Sequence, residues 1–140
     1  MQEGTFPSPG SPNVTTLSAV ERGNVFAANC PTRLLLDRIA DKWTVLILTT
    51  LGEEAMRFNA LRRRIEGVSQ KMLSQTLRQM ERDGMVTRTV EPTVPVSVTY
   101  EISPLGHELV AALRPMVDWA ETRMAEVEAA RVRYDSEMAD

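Results

Sequence analysis

The stretch Arg57-Phe58-Asn59-Ala60-Leu61-Arg62-Arg63-Arg64-Ile65-Glu66-Gly67-Val68-Ser69-Gln70-Lys71-Met72-Leu73-Ser74-Gln75-Thr76-Leu77-Arg78 decides how this 140-residue chain is read. Leu61 and Ile65 recur at helical spacing, and Asn59 stands where an N-cap would. Gly67 stops this short helix and Ser69 is the residue type that caps the next one. In the second helix Leu73, Leu77 and Met80 recur four and three apart and face inward. Gln70, Lys71, Ser74, Gln75, Arg78 and Arg82 share the other side, and Gly84 closes the helix. A short helix, a glycine turn and a second helix with a polar, basic face form a helix-turn-helix, whose second helix lies in the DNA major groove.

Downstream, residues 85–90 and 96–102 are β-prone, and Glu91-Pro92-Thr93-Val94-Pro95 joins them. Two prolines deny this connection regular ladder bonding, so it projects as a loop. A hairpin with a protruding tip after a recognition helix makes the fold a winged helix-turn-helix, mainly α with a small β-hairpin wing. Upstream, Pro31 opens a short amphipathic helix carrying Leu34, Leu35 and Ile39. Asp41 then reads as the N-cap of an apolar helix over 42–51, with Gly52 as its stop, and that helix is the expected buried centre. After Ser103-Pro104, the residues Leu105, Leu109, Leu113, Met116, Ala120, Met124 and Val127 follow a near-heptad seam, which Pro115 is expected to kink or split.

The chain thus divides into an N-terminal arm over 1–28, a DNA-binding domain over 29–103 and terminal dimerisation helices over 104–140. Residues 1–15 of the arm are too poor in apolar side chains to order themselves, and residues 17–28 are weakly helical around Gly23.

The formal net charge of −3 is unevenly spread. Residues 57–88 hold eight Lys/Arg and three acids, a local excess of five positive charges, while the rest of the chain is acidic. The local patch determines where phosphate binds. Residues near the start of a recognition helix reach furthest into the groove, which makes Gln70, Lys71, Ser74 and Gln75 the candidates for base edges, with Ser69 at the cap. Arg57, Arg78 and Arg88 are the candidates for phosphates. Arg62, Arg63 and Arg64 span about 200° of helix and cannot all face one strand.

One cysteine and one histidine, Cys30 and His107, cannot make an intrachain disulfide or a Cys/His metal site. No phosphate-cradling glycine loop, carboxylate pair or nucleophile with its base is present, so neither an enzyme nor a cofactor is expected. Without an apolar run of membrane length or a signal segment, the expected location is cytoplasmic. Cys30, just before Pro31 at a helix start, reads either as a small packed residue or as a thiol sensor whose thiolate the helix N-terminus favours. Trp43 and Trp119 read as packing residues, with a pocket beside Trp119 at a dimer interface as the alternative reading.

The chain from Cys30 to Trp119 resembles the HxlR-type regulators, a branch near the MarR family of winged-helix transcription factors. The residues that carry the resemblance are Cys30-Pro31, Lys42-Trp43-Thr44 and Arg57-Phe58-Asn59-x-Leu61-Arg62. With them go Ile65-x-Gly67-Val68-Ser69-Gln70-Lys71-Met72-Leu73, Met80-Glu81-x-Asp83-Gly84-Met85-Val86 and Tyr100-x-Ile102-Ser103-x-Leu105-Gly106. The resemblance implies a homodimer joined through terminal helices and two recognition helices on a near-palindromic operator of double-stranded DNA. It also implies control of a nearby gene, as repressor or occasionally activator, and in some members a response to oxidants or electrophiles through the cysteine matching Cys30. Two departures stand out: Ala40-Asp41 replaces the glycines usual before Lys-Trp, and Val96-Ser97 replaces a basic residue of the wing. The second departure shifts the expected phosphate contact to Arg88. Two other readings stay open: a regulator governed by a small molecule at the dimer interface, with a structural Cys30, and a winged helix that binds protein.

Overall fold

The computed structural model describes residues 22–139. The disordered arm expected over 1–15 lies outside the described residues, as does the start of the weak helix expected over 17–28. Its remainder, from Arg22 on, forms turns and no helix, with Ala27 N–H donating to the Asn24 carbonyl oxygen and Cys30 N–H to that of Ala27. The chain divides after Asp41 into two compact units.

In the first unit, α1 (Pro31–Ile39) begins with proline where its missing N–H costs nothing, directly after extended Cys30. None of its residues is buried within the unit.

The second unit is built on α2 (Lys42–Leu51), the central helix the sequence predicts. Ile47 and Leu48 are fully buried, and Thr44, Val45, Thr50 and Leu51 join them. The buried Thr50 hydroxyl donates to the Leu46 carbonyl oxygen at 2.7 Å, so its polar group is satisfied within the helix. A short strand, β1 (Met56–Arg57), leads straight into α3 (Phe58–Arg64) and then, through a turn, into α4 (Gln70–Arg82). The strands β2 (Val86–Glu91) and β3 (Ser97–Ile102) follow, and α5 (Pro104–Met138) ends the described chain.

The sheet has three strands in the order β1-β3-β2, all antiparallel. The wing hairpin is as expected, and residues 92–96 stay outside the ladder as their prolines require. The strand β1 was not expected: two residues carry no readable alternation, and only pairing of Met56 with Tyr100 and Arg57 with Thr99 creates it. That pairing also corrects the cap of α3. The chain is held extended through Arg57, which becomes the N-cap residue with no side-chain bond, and the helix starts at Phe58, two residues earlier than an Asn59 cap would allow.

Leu61, Leu73, Leu77 and Val86 fill the space beneath α2 with Met80, Met85 and Ile102 around them. Ser103 clamps the far corner. Its hydroxyl donates to the Gly84 carbonyl oxygen at 2.7 Å and accepts from Gly106 N–H at 3.0 Å, which caps α5 and ties it to the end of α4. A side chain at Gly106 would run into the Met85 carbonyl oxygen and the Ile102 side chain, so glycine is required there.

The helix α5 does not split at Pro115. It continues through the proline for 35 residues, roughly 50 Å at helical rise. Proline removes the bond to the carbonyl four residues back, on Ala111, and Ala111 is exposed, so solvent can satisfy it. The seam is buried only at Leu113 and half-buried at Leu109 and Val127, while Met116, Trp119 and Met124 stand exposed.

Candidate nucleic-acid interface

The turn between α3 and α4 needs one left-handed residue, and Gly67, at φ 89°, supplies it. Trp43 lies beneath this turn, half-buried, with its Cη2 atom 3.8 Å from where a Gly67 side chain would begin, and the Lys42 ammonium sits 4.6 Å from its ring centre. Trp43 is therefore a support for the turn, as its packing reading requires.

Ser69 caps α4: its hydroxyl oxygen accepts from Met72 N–H at 3.0 Å. The hydroxyl proton remains able to donate outward. Along α4, Leu73, Thr76, Leu77 and Met80 are buried, while Gln70, Lys71, Gln75, Arg78 and Arg82 are exposed and Ser74 is half-buried. The thirteen-residue helix thus presents about 20 Å of amide, hydroxyl and cationic groups along one side. The Thr76 hydroxyl is spent on the Met72 carbonyl oxygen at 2.8 Å and takes no part in that face.

Arg88 lies on β2 opposite Tyr100 of β3. Its Nε is 3.6 Å from the Glu81 carboxylate of α4, so the wing and the recognition helix share an ion pair. Tyr100 is half-buried beside this pair. Burial raises its phenol above the ordinary range, Arg88 and Arg78 pull it down and Glu81 pushes it up. The sequence named Arg88 but not its pairing with Glu81, because α4 and β2 meet only in the fold. Arg57 stands exposed at the end of β1, Arg62 and Arg63 are exposed on α3, and Arg64 pairs with Glu53 at 3.5 Å.

Cys30 belongs to the other unit. Its sulfur accepts from Asn24 N–H at 3.3 Å. The thiol is held below its ordinary range chiefly by the Thr32 side chain and then by the Asn24 backbone. Thr32 was not singled out in the sequence, since nothing in its spacing marks it as a partner of the thiol.

A hairpin wing, completed to a three-stranded sheet by β1, beside a capped, polar-faced recognition helix defines a winged helix-turn-helix, the fold of a DNA-binding transcription regulator. The chain belongs to the HxlR-like helix-turn-helix family, whose model matches residues 38–128. It is 42% identical over 118 residues to the Escherichia coli HTH-type transcriptional regulator YtfH, covering 84% of this chain and 94% of that protein. Among solved structures, a putative transcriptional regulator YtfH from Salmonella typhimurium superposes with a TM-score of 0.75 at 41% identity, covering 79% of this chain and 98% of the other. The redox regulator HypR in its reduced form matches at 0.65 and 32% identity, covering 71% and 98%. Among the described residues, no helix is long and apolar enough to cross a membrane and no cluster of side chains could hold a metal ion.

Proposed function

We propose that this regulator is a homodimeric, sequence-specific repressor that reads double-stranded DNA through the start of α4. The observation that carries the reading is the exposed row Gln70, Lys71, Gln75 and Arg78, fixed by the Ser69 cap and by four buried residues on the opposite side. In it, Ser69, Gln70, Lys71, Ser74 and Gln75 read base edges, and Arg57, Arg78 and Arg88 bind phosphates. A near-palindromic operator follows from pairing two copies, and the exposed apolar face of α5 at Met116, Trp119 and Met124 suits such a pairing.

The trigger we assign is Cys30. Its lowered thiol and the likeness to a redox regulator support this role. The Cys30 thiolate attacks a low-molecular-weight disulfide, a Cys30–S–S–R bond forms, and the other half leaves as a thiolate.

The test is binding to the DNA upstream of the protein's own gene, with and without oxidised glutathione, for the native chain and Cys30→Ser. Release of the native protein alone supports a thiol switch. Equal binding under all four conditions leaves the DNA-binding reading standing and removes Cys30 as its trigger. Lys71→Ala and Gln75→Ala are measured beside them, and unchanged affinity in both would overturn the recognition-helix assignment.

A further inference from the structure

The side chains of the wing hairpin fall into two rows, and a cation stands on the inner one. Val86 pairs with Ile102, and both are buried. Two residues further out along each strand, Arg88 pairs with Tyr100. Residues directly opposite on antiparallel strands project to one face, and so do residues two apart on a strand. Arg88 and Tyr100 therefore continue the row of Val86 and Ile102 to where that face leaves the core. The Tyr100 ring is half-buried against the core, with Met56 of β1 opposite it on its other flank. Across from this row lies the end of α4. Glu81 meets Arg88 there at 3.6 Å, and Arg78, three residues before Glu81, is its neighbour on the exposed side of the helix.

Charge and hydrogen bonding both leave an opening at this point. Two guanidiniums, Arg78 and Arg88, stand around one carboxylate, Glu81, which leaves a positive charge to be matched. The Tyr100 hydroxyl makes no hydrogen bond among the described residues, and it is not sealed from solvent. Burial raises the phenol although Arg88 and Arg78 pull it down, so at neutral pH it keeps its proton and is a donor. A phosphodiester carries one negative charge and two free oxygens, and it accepts from guanidinium and tyrosyl groups alike.

We infer that Tyr100 is a further ligand of the DNA backbone, its hydroxyl donating to a phosphate that Arg78 and Arg88 hold between the recognition helix and the wing. This contact rests on the DNA-binding reading above and adds a neutral donor to its charged ones. One phosphate is then gripped from α4, β2 and β3 together, which sets the register of helix and wing on the duplex.

The test is ethylation interference on the duplex upstream of the protein's own gene, for the native chain, Tyr100→Phe, Arg78→Gln and Arg88→Gln. Affinities are read by fluorescence anisotropy across a salt series. Ethylation removes the charge of one phosphate, and its penalty shrinks in a variant that has already lost a contact to that phosphate. The penalty at one and the same phosphate is expected to shrink in all three variants. Tyr100→Phe is expected to weaken binding about tenfold at an unchanged salt slope, whereas each arginine variant flattens the slope by about one unit. A partly misfolded variant would bind every duplex proportionately less and leave the penalties as they are in the native chain. Tyr100→Phe binding as tightly as the native chain, or an unchanged pattern of penalties in that variant, overturns the Tyr100 contact and spares the regulator reading. Shrinkage at a phosphate other than that of the arginines overturns the shared site. A native chain without salt-dependent duplex binding removes the regulator reading, and the Tyr100 contact with it.

Discussion

Arg88 Nε lies 3.6 Å from a carboxylate oxygen of Glu81, joining the first wing strand to the last turn of the recognition helix. Both side chains are a little over 40% exposed, so the pair is screened by water and contributes at most about 1 kcal/mol to folding. On the proposed DNA-binding reading, in which Arg88 binds phosphate, Glu81 competes for the same guanidinium. Glu81→Gln is expected to tighten duplex binding about threefold by removing that competitor. Arg88→Gln is expected to weaken it and to flatten the log–log salt dependence by about one unit. Fluorescence anisotropy across a salt series reads both.

The Thr32 side chain is the main cause of the lowered Cys30 thiol, and the thiolate is the reactive form. As pH rises the thiolate fraction grows, so a lowered thiol moves the midpoint of alkylation to lower pH than an ordinary cysteine. Thr32→Val should move the midpoint back up and slow alkylation at pH 7, while Arg33→Gln should move it less, since the Arg33 backbone rather than its side chain lowers the thiol. Iodoacetamide rates across pH check this, and coincident profiles for native and Thr32→Val would count against the assigned hydrogen bond.

Gly106 packs against the Met85 carbonyl oxygen, where no side chain fits. Alanine is a better helix former by about 1 kcal/mol, yet the overlap is with backbone and cannot be relieved by a rotamer change. Gly106→Ala is therefore expected to lose about 1–3 kcal/mol. A lower urea midpoint with unchanged slope would show it.

Trp119 and Met116 are 60% and 50% exposed on α5, beyond the last buried seam residue, Leu113. If a second copy covers them, Trp119→Ser with Met116→Ser removes two large apolar side chains from that contact, worth on the order of 1.5–3 kcal/mol each when fully buried. Sedimentation velocity is expected to show a dimer for the native chain and a concentration-dependent shift to monomer for the double variant. A native monomer at micromolar concentration would remove the dimer.

Much of the fold is local in origin, and for that reason it is legible in the chain. The Leu73, Leu77, Met80 spacing, the Ser69 cap and the Gly67 turn each rest on contacts within four residues, and each stands as the pattern predicts. The apolar run over 42–51 declares a central helix because too many of its sides need burial. The family, too, follows from such motifs and their order.

Features that rest on distant partners could not be read so. The strand β1 exists because Thr99 and Tyr100 pair with it, and this moves the start of α3 ahead of Asn59. Pro115 lacks a donor in any context, but it breaks a helix only where the orphaned carbonyl has no other partner, and here Ala111 faces solvent. The Glu81–Arg88 pair joins residues 7 positions apart, brought together by the packing of α4 on β2. Short-range chemistry is written in neighbouring residues. Where two elements meet is set by how all of them bury their apolar faces at once.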